Sequence, residues 1–269
     1  MSVSQETSFA HAVERLSSAD IKEARKLVGD IVRLRPSDQR ARMFLFQLLC
    51  VECAWAKASS QLRALETLSP EARILAAAYG QAIEGELHRA EVFRAQAPAS
   101  LLVDAPDWAV DIVDALAADP QEAAARRASA FDRCPDTPGE IDGKRFDFLF
   151  DPDNRFGPTF EAIVAGRWGL IPFSAVEEIE TEGPVDLRDM VWLPAEIRFR
   201  QGPALAAMLP VRYPDIETES DTELLLSRRT EWREHSGALR GAGQRVWTTS
   251  GGDDVDILSF RHVRFAALS

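Results

Sequence analysis

The sequence predicts a two-part α+β protein, with an all-α helical repeat over residues 1–135 and an α+β domain of short strands over 136–269. Three observations predict it. Residues 6–134 follow a 3.6-residue apolar period and repeat themselves every 34 residues. CPDTPG at 134–139 is a Pro/Gly breaker, after which period-2 patterning takes over. The stretch DMVWLPAEIRFRQGPALAAMLPVRYP at 189–214 then reads as two apolar strands joined at Gln201-Gly202-Pro203.

In the first half, Phe9, Val13 and Leu16 mark one face of a first helix. Asp20 is the expected N-cap of a second, with Glu23 three residues on and Ala24, Leu27, Val28, Ile31 and Leu34 as its stripe. Pro36-Ser37-Asp38 ends it and starts a third helix, apolar nearly all round from Met43 to Leu49. Pro36 and Pro70 lie 34 residues apart, and the same offset aligns Ala24 with Ala58, Val28 with Leu62, Ile31 with Leu65 and Leu34 with Leu68. A small alanine early in helix B and a proline at its end form the tetratricopeptide (TPR) pattern, here degenerate. Residues 71–95 are expected to form a third, looser unit, with Ala90 in the small-residue role; further helices are expected at 107–117 and 121–133. Stacked units of this kind leave a concave face that takes a peptide or helix, unless the second half of the chain fills it. Phe44, Trp55 and Tyr79 are the candidate partner-binding residues, with ordinary core packing as the competing reading.

In the second half, strands at 160–164 and 167–172 flank Ala165-Gly166, a hairpin turn. In the 189–214 ribbon, Arg198 and Arg200 alternate with Ile197 and Phe199, giving one wet face. Pro194, Pro210 and Pro214 rule out a long central strand on this reading, since each removes a ladder donor. A second hairpin is expected from 244–249 and 255–265 around Ser250-Gly251-Gly252-Asp253-Asp254. Five or six such strands suit a small SH3-like β-barrel or an α+β sheet domain.

Composition narrows the function. The chain is 46% hydrophobic and 28% charged, with a net charge of −12. Residues 1–135 hold 16 basic against 19 acidic side chains, and residues 136–269 hold 15 against 24. This acidity argues against nucleic acid and anionic membrane as partners and is compatible with a basic protein segment. No run of about 18 apolar residues is present to span a membrane. The first residues lack the basic and apolar regions of a signal peptide, so a cytoplasmic location is expected.

Candidate chemistry is sparse. Cys50-Val51-Glu52-Cys53 has C-x-x-C spacing but falls in an apolar helical run without a second ligand pair, so both cysteines read as small hydrophobes. Asp151, Asp153 and Asn154 resemble part of a calcium loop, yet the glycine and the glutamate that complete one are missing, and Arg155 favours a charge-capped turn. Glu161 and Glu196 could serve a hydrolase as paired carboxylates; a buried glutamate paired with Arg188, Arg212 or Arg245 is the stronger reading. Arg198, Arg200 and Arg212 are expected to bridge to Glu161, Asp186 or Asp189. His11, His88, His235 and His262 lack partner motifs, and Gly241-Ala242-Gly243 precedes a strand, so no dinucleotide loop is expected. The expectation is a protein without enzymatic activity, cofactor or metal.

Six stretches carry a family resemblance: DNRFGPTFE (153–161), GRWGLIPF (166–173), LRDMVWLPAE (187–196), LPVRYP (209–214), RRTEWRE (228–234) and GAGQRVW (241–247). With RPSDQRARMFLFQLLCV (35–51), they make the chain similar to the ImpE/TagJ family, accessory proteins of bacterial type VI secretion. The resemblance implies a TPR-like domain joined to a domain with a small β-barrel. It also implies a non-enzymatic adaptor that binds the N-terminal helix of the small sheath subunit and is linked through it to the ClpV-type AAA+ ATPase. A structural scaffold or oligomerisation module is the alternative. Gly157, Pro158, Gly202 and Gly243 are expected to support turns. Gly169 stands where an aromatic is expected, which predicts a gap on that hairpin.

Overall fold

The computed structural model describes residues 3–267. Seven helices precede the strands: α1 (Val3–Ser17), α2 (Ile21–Leu34), α3 (Gln39–Val51), α4 (Trp55–Glu66), α5 (Pro70–Phe93), α6 (Asp107–Asp114) and α7 (Pro120–Arg133). Their starts follow from side-chain caps that accept orphan N–H groups: Asp20 from Glu23, Asp38 from Ala41, Ser69 from Ala72, and Asp119 from Gln121 and Glu122. Pro70 and Pro120 occupy first-turn positions where no donor is needed.

The 34-residue offset relates buried positions. Ala24, Val28 and Ile31 of α2 and Ala58, Leu62 and Leu65 of α4 all face the core, whereas Leu34 is 79% exposed. The expected third unit is not a helical hairpin. Residues 70–93 form one uninterrupted 24-residue helix, about 36 Å long at 1.5 Å per residue. Nothing in AAAYGQAIEGEL breaks it, and Gly85 has a packing reason: a Cβ there would approach Ile163 Cγ2 to 2.8 Å. The glycine lets α5 lie directly on the sheet.

The strands are β1 (Gly139–Ile141), β2 (Lys144–Phe146), β3 (Leu149–Phe150), β4 (Thr159–Val164), β5 (Arg167–Pro172), β6 (Val176–Glu180), β7 (Trp192–Phe199), β8 (Ala204–Pro210), β9 (Thr230–His235), β10 (Ala238–Gly243), β11 (Val246–Thr249), β12 (Asp254–Asp256) and β13 (His262–Phe265), with a short α8 (Thr222–Leu225) before β9. Eight of them form one antiparallel sheet in the order β2-β1-β13-β6-β7-β8-β4-β5. It is not a closed barrel. Closure would need β5 to meet β2, but the outer edge of β5 is taken by the chain at residues 100–102. Leu102 N donates to Leu170 O (3.0 Å) and Leu170 N to Ser100 O (2.9 Å).

That crossing also corrects the reading of Gly169. No gap exists there: a Cβ at Gly169 would lie 2.6 Å from Ser100 O and 2.9 Å from Leu102 Cγ, so the missing side chain admits a passing strand. The ribbon forms as read, with Ile197 opposite Leu205 and Glu196 opposite Ala206. However, β7 is an eight-residue strand in the middle of the sheet. Pro194 is tolerated because β6 reaches only as far as Glu196, leaving no ladder on that side. The expected hairpin after β11 is also split. Residues 254–256 pair with β11, while β13 crosses to lie between β1 and β6.

Two cores result. Phe160, Phe173, Trp247, Phe260 and Phe265 cluster within the strand half, with Phe160–Phe173 centroids 5.1 Å apart and Phe173–Trp247 5.2 Å apart. The other core is common to helices and sheet, joining Phe46, Tyr79 and Ile83 to Phe156, Trp168, Trp192 and Tyr213.

Candidate functional site

Five side chains of the family stretches, Glu161, Trp168, Trp192, Tyr213 and Arg245, meet Glu86, Arg89 and Asp151 at the seam between α5 and the sheet. Arg89 projects from α5 and grips Glu161 of β4 with two hydrogen bonds, Nε to Oε1 (2.6 Å) and Nη2 to Oε2 (2.9 Å). Its Nη2 also donates to Arg212 O (2.7 Å) and its Nη1 to Glu86 Oε2 (3.3 Å). Arg245 approaches from the other side, bridging Glu161 and Asp151. Trp168 Nε1 donates to Glu161 Oε1 (2.9 Å), and Trp192 Nε1 to Glu86 Oε1 (3.1 Å). Tyr213 donates its hydroxyl to Asp151 Oδ1 (3.0 Å). Beside this row, Arg155 holds Asp153, which also accepts from Gly241 N at 2.8 Å.

All these carboxylates and guanidiniums are buried. Buried charge is tolerable only when it is paired, and here each charge has an opposite charge within hydrogen-bond reach. Burial opposes ionisation of Glu161, but Arg89 and Arg245 outweigh it and hold the carboxyl below its usual range. Burial pushes the Asp151 carboxyl up to about 7, against the pull of Arg245.

The Glu161–Arg245 pair agrees with the sequence reading. Glu161 and Glu196 do not form an acid–base pair: both oxygens of Glu161 are enclosed by Arg89, Arg245 and Trp168, whereas Glu196 stands on the solvated face of β7. Asp153 and Arg155 make the charge-capped turn that was expected. The ribbon arginines find other partners than Glu161, Asp186 and Asp189. Arg198 bonds Glu178 (3.1 Å), and Arg200 donates to Ser174 O and Ala266 O. Arg212 caps the end of α3 through Val51 O (2.7 Å) and Cys50 O (3.3 Å), where the helix presents bare carbonyls. Cys53 lies beyond that helix, in a left-handed conformation (φ 54°). Burial raises both the Cys50 and Cys53 thiols, so neither is a ready thiolate at neutral pH.

The three aromatic candidates all point toward the chain's own rings. Phe44 is half-buried against Phe9 (5.2 Å), and half-buried Trp55 lies 5.5 Å from Trp192. Tyr79 is buried between Phe46 and Trp192, with the Arg188 guanidinium 4.7 Å from its ring centre. Sequence reasoning missed Glu86 and Arg89. Their signal is an i, i+3 charge pair on the Tyr79, Ala82, Ile83 and Gly85 face, where only a partner from elsewhere makes charge acceptable.

Next to the seam the sheet is open. A groove of about 700 Å³ runs between Ala78, Gln81 and Ala82 of α5 and the outward face of β6, β7 and β8. Its floor is apolar, with Ile163, Pro194, Ala206 and Met208; its far end carries Glu180, Glu182 and Glu196, with Arg261 and His262 on the same rim. Glu178, Glu180 and His262 place ligand atoms within 4.8 Å of one another, as a metal site would need. Glu178 already accepts from Arg198 and Arg264, and His262 Nε2 lies 2.6 Å from it. The hydrogen bond with His262, then those from the two arginines, pull its carboxyl down to about 2. Two guanidiniums on the same carboxylate oppose a metal cation there.

Fold and site together define a two-part α+β scaffold whose polar seam is closed and whose accessible feature is a groove. The sequence model of the ImpE protein family matches residues 143–264. The type VI secretion system accessory component TagJ of Pseudomonas aeruginosa strain PAO1 is 39% identical over 246 residues, spanning 90% of this chain and 86% of that protein. The chain belongs to the ImpE/TagJ family. The fold is also that of the crystal structure of VPA1032 from Vibrio parahaemolyticus, with a TM-score of 0.85 at 19% identity over 96% of this chain and 98% of that one. Among the described residues no helix is long and apolar enough to cross a membrane.

Proposed function

We propose that this chain is a non-enzymatic cytoplasmic adaptor of a bacterial type VI secretion system. It binds the N-terminal helix of the small contractile-sheath subunit and is linked through it to the ClpV-type AAA+ ATPase that recycles contracted sheath. The observation that carries this reading is the similarity to TagJ, a type VI secretion accessory component, along 90% of the chain. The closed seam supports it, because Glu161, Trp168 and Arg245 of the stretches that mark the family are satisfied inside the fold. On this reading residues 1–135 are the TPR-like part and 136–269 the strand part. Phe44 and Trp55, which keep some exposed surface, are its aromatic contact candidates, while Tyr79 acts through packing.

Titration calorimetry of the purified chain with the N-terminal helix peptide of the sheath subunit tests it. Binding with a negative heat-capacity change is expected, since apolar surface is buried. A flat titration at high micromolar peptide would exclude the sheath helix as partner. Capture of the ATPase by the chain only when the sheath subunit is present tests the second link.

A further inference from the structure

We propose that the groove between α5 and the outward face of β6, β7 and β8 is the docking site for an amphipathic partner helix that carries lysine or arginine beside its apolar stripe. The proposal rests on the adaptor reading and assigns it a surface. The groove is formed where α5 stops covering the sheet. At one end of β7 the helices bury Trp192; farther along the same face, Pro194, Glu196 and Arg198 are exposed, each two residues on. Met208 and Ala206 stand opposite Pro194 and Glu196 on β8, so an apolar strip runs beside α5 and turns acidic toward β6.

The acidic end is arranged against the stability of the fold. Glu180 and Glu196 face each other directly across β6 and β7, and like charges in that register destabilise a sheet. The neighbouring Glu178 shows how the sheet deals with a carboxylate that it needs to neutralise, for Arg198, Arg264 and His262 all converge on it. Glu180 and Glu196 receive only marginal contacts, at 3.8 Å from His262 and 4.0 Å from Arg198, and remain 57% and 58% exposed. Arg261, on the same rim, spends its guanidinium on the carbonyls of Leu258, Ser259 and Phe260. A basic side chain from a partner removes the repulsion that the fold leaves standing. The apolar strip beside it suits helix residues at i, i+3, i+4 and i+7 spacing.

The test uses the full chain and the sheath-helix peptide. The double variant Glu180→Gln/Glu196→Gln, both exposed and outside the buried seam, is expected to bind about tenfold more weakly, the loss of two exposed ion pairs. Its affinity is also expected to depend less on salt. Ala206→Trp, which fills the floor, is expected to weaken binding with the salt dependence kept. Unchanged thermal melting certifies that each variant is folded. A charge-reversed pair, Glu180→Lys/Glu196→Lys with a peptide whose basic residues are changed to glutamate, is expected to regain affinity. If the wild-type chain binds the peptide and all groove variants bind equally well, the groove assignment falls and the adaptor reading stands. If the wild-type chain does not bind the peptide, both fall. A dimer in light scattering that the same variants dissolve would assign the groove to a second copy and overturn the proposal.

Discussion

Glu161 is the residue on which the seam depends, because two guanidiniums and an indole from different elements end on its two oxygens. Glu161→Gln keeps the shape and removes the charge, leaving Arg89 and Arg245 buried with one counter-charge fewer. Breaking a buried pair from one side costs about 3–5 kcal/mol, and chemical denaturation should register a loss of that order. A second residue-scale prediction concerns Gly169. Restoring the aromatic expected there, or even Gly169→Ala, forces the 100–102 crossing aside, at about 1–3 kcal/mol for overpacking. A variant as stable as the parent in urea would show that the crossing has room. The third concerns acid. Glu178 has its pKa depressed from 4.5 to about 2 by His262, Arg198 and Arg264. Its stabilising contribution is therefore full above pH 4.5 and lost as the pH falls from there toward 2. Glu178→Gln should flatten the pH dependence of the melting temperature in that window.

At the scale of elements, the helices and hairpins were legible wherever the signal is local. Ala165 and Gly166 both take positive φ, 48° and 79°, as a two-residue turn requires, and the dipeptide alone pointed to the hairpin. Asp20, with its carboxylate on Glu23 N, was legible for the same reason. What failed was non-local. Residues 255–265 looked like one strand because apolar residues recur along them without a Pro or Gly break, but β12 and β13 pair in different sheets, a choice made by partners far away in sequence. Residues 71–95 looked like a third hairpin because the period suggested one, and the continuous α5 follows from its having a whole sheet to lie on. The candidate site was least legible. Arg89 meets Glu161 across 72 positions, and neither stretch alone shows that a partner exists. The groove is formed by backbone courses and small residues such as Ala78, Ala82 and Ala206, which leave no motif. An element-scale prediction follows from Arg212, whose guanidinium ends α3. Arg212→Gln should leave α3 carbonyls unpaired in a buried place and cost about 1–3 kcal/mol, with faster amide exchange in the last turn of α3 as its local sign.

At the scale of the molecule, the strand half has an aromatic core of its own, but its second core and its charge row are held in common with the helices. The family model covers residues 143–264, yet a fragment of residues 136–269 lacks Glu86, Arg89 and Tyr79. Separated, it should show strand signal in far-UV circular dichroism but little near-UV structure, and it should bind hydrophobic dye. A fragment that unfolds cooperatively would show that the strand half completes its core without α5.

The crossing at residues 100–102 has a consequence for the order of events during synthesis. It pairs with β5, yet it leaves the ribosome well before any strand of the sheet. The chain therefore carries, at the end of its helical half, an extended segment on which the first long hairpin of the sheet can align as it emerges. An N-terminal part made first acts as a template for the part made second. A ribosome stalled far enough beyond residue 172 for β5 to have cleared the exit tunnel should already hold the β4–β5 hairpin docked, and one whose message lacks the codons for 98–103 should not.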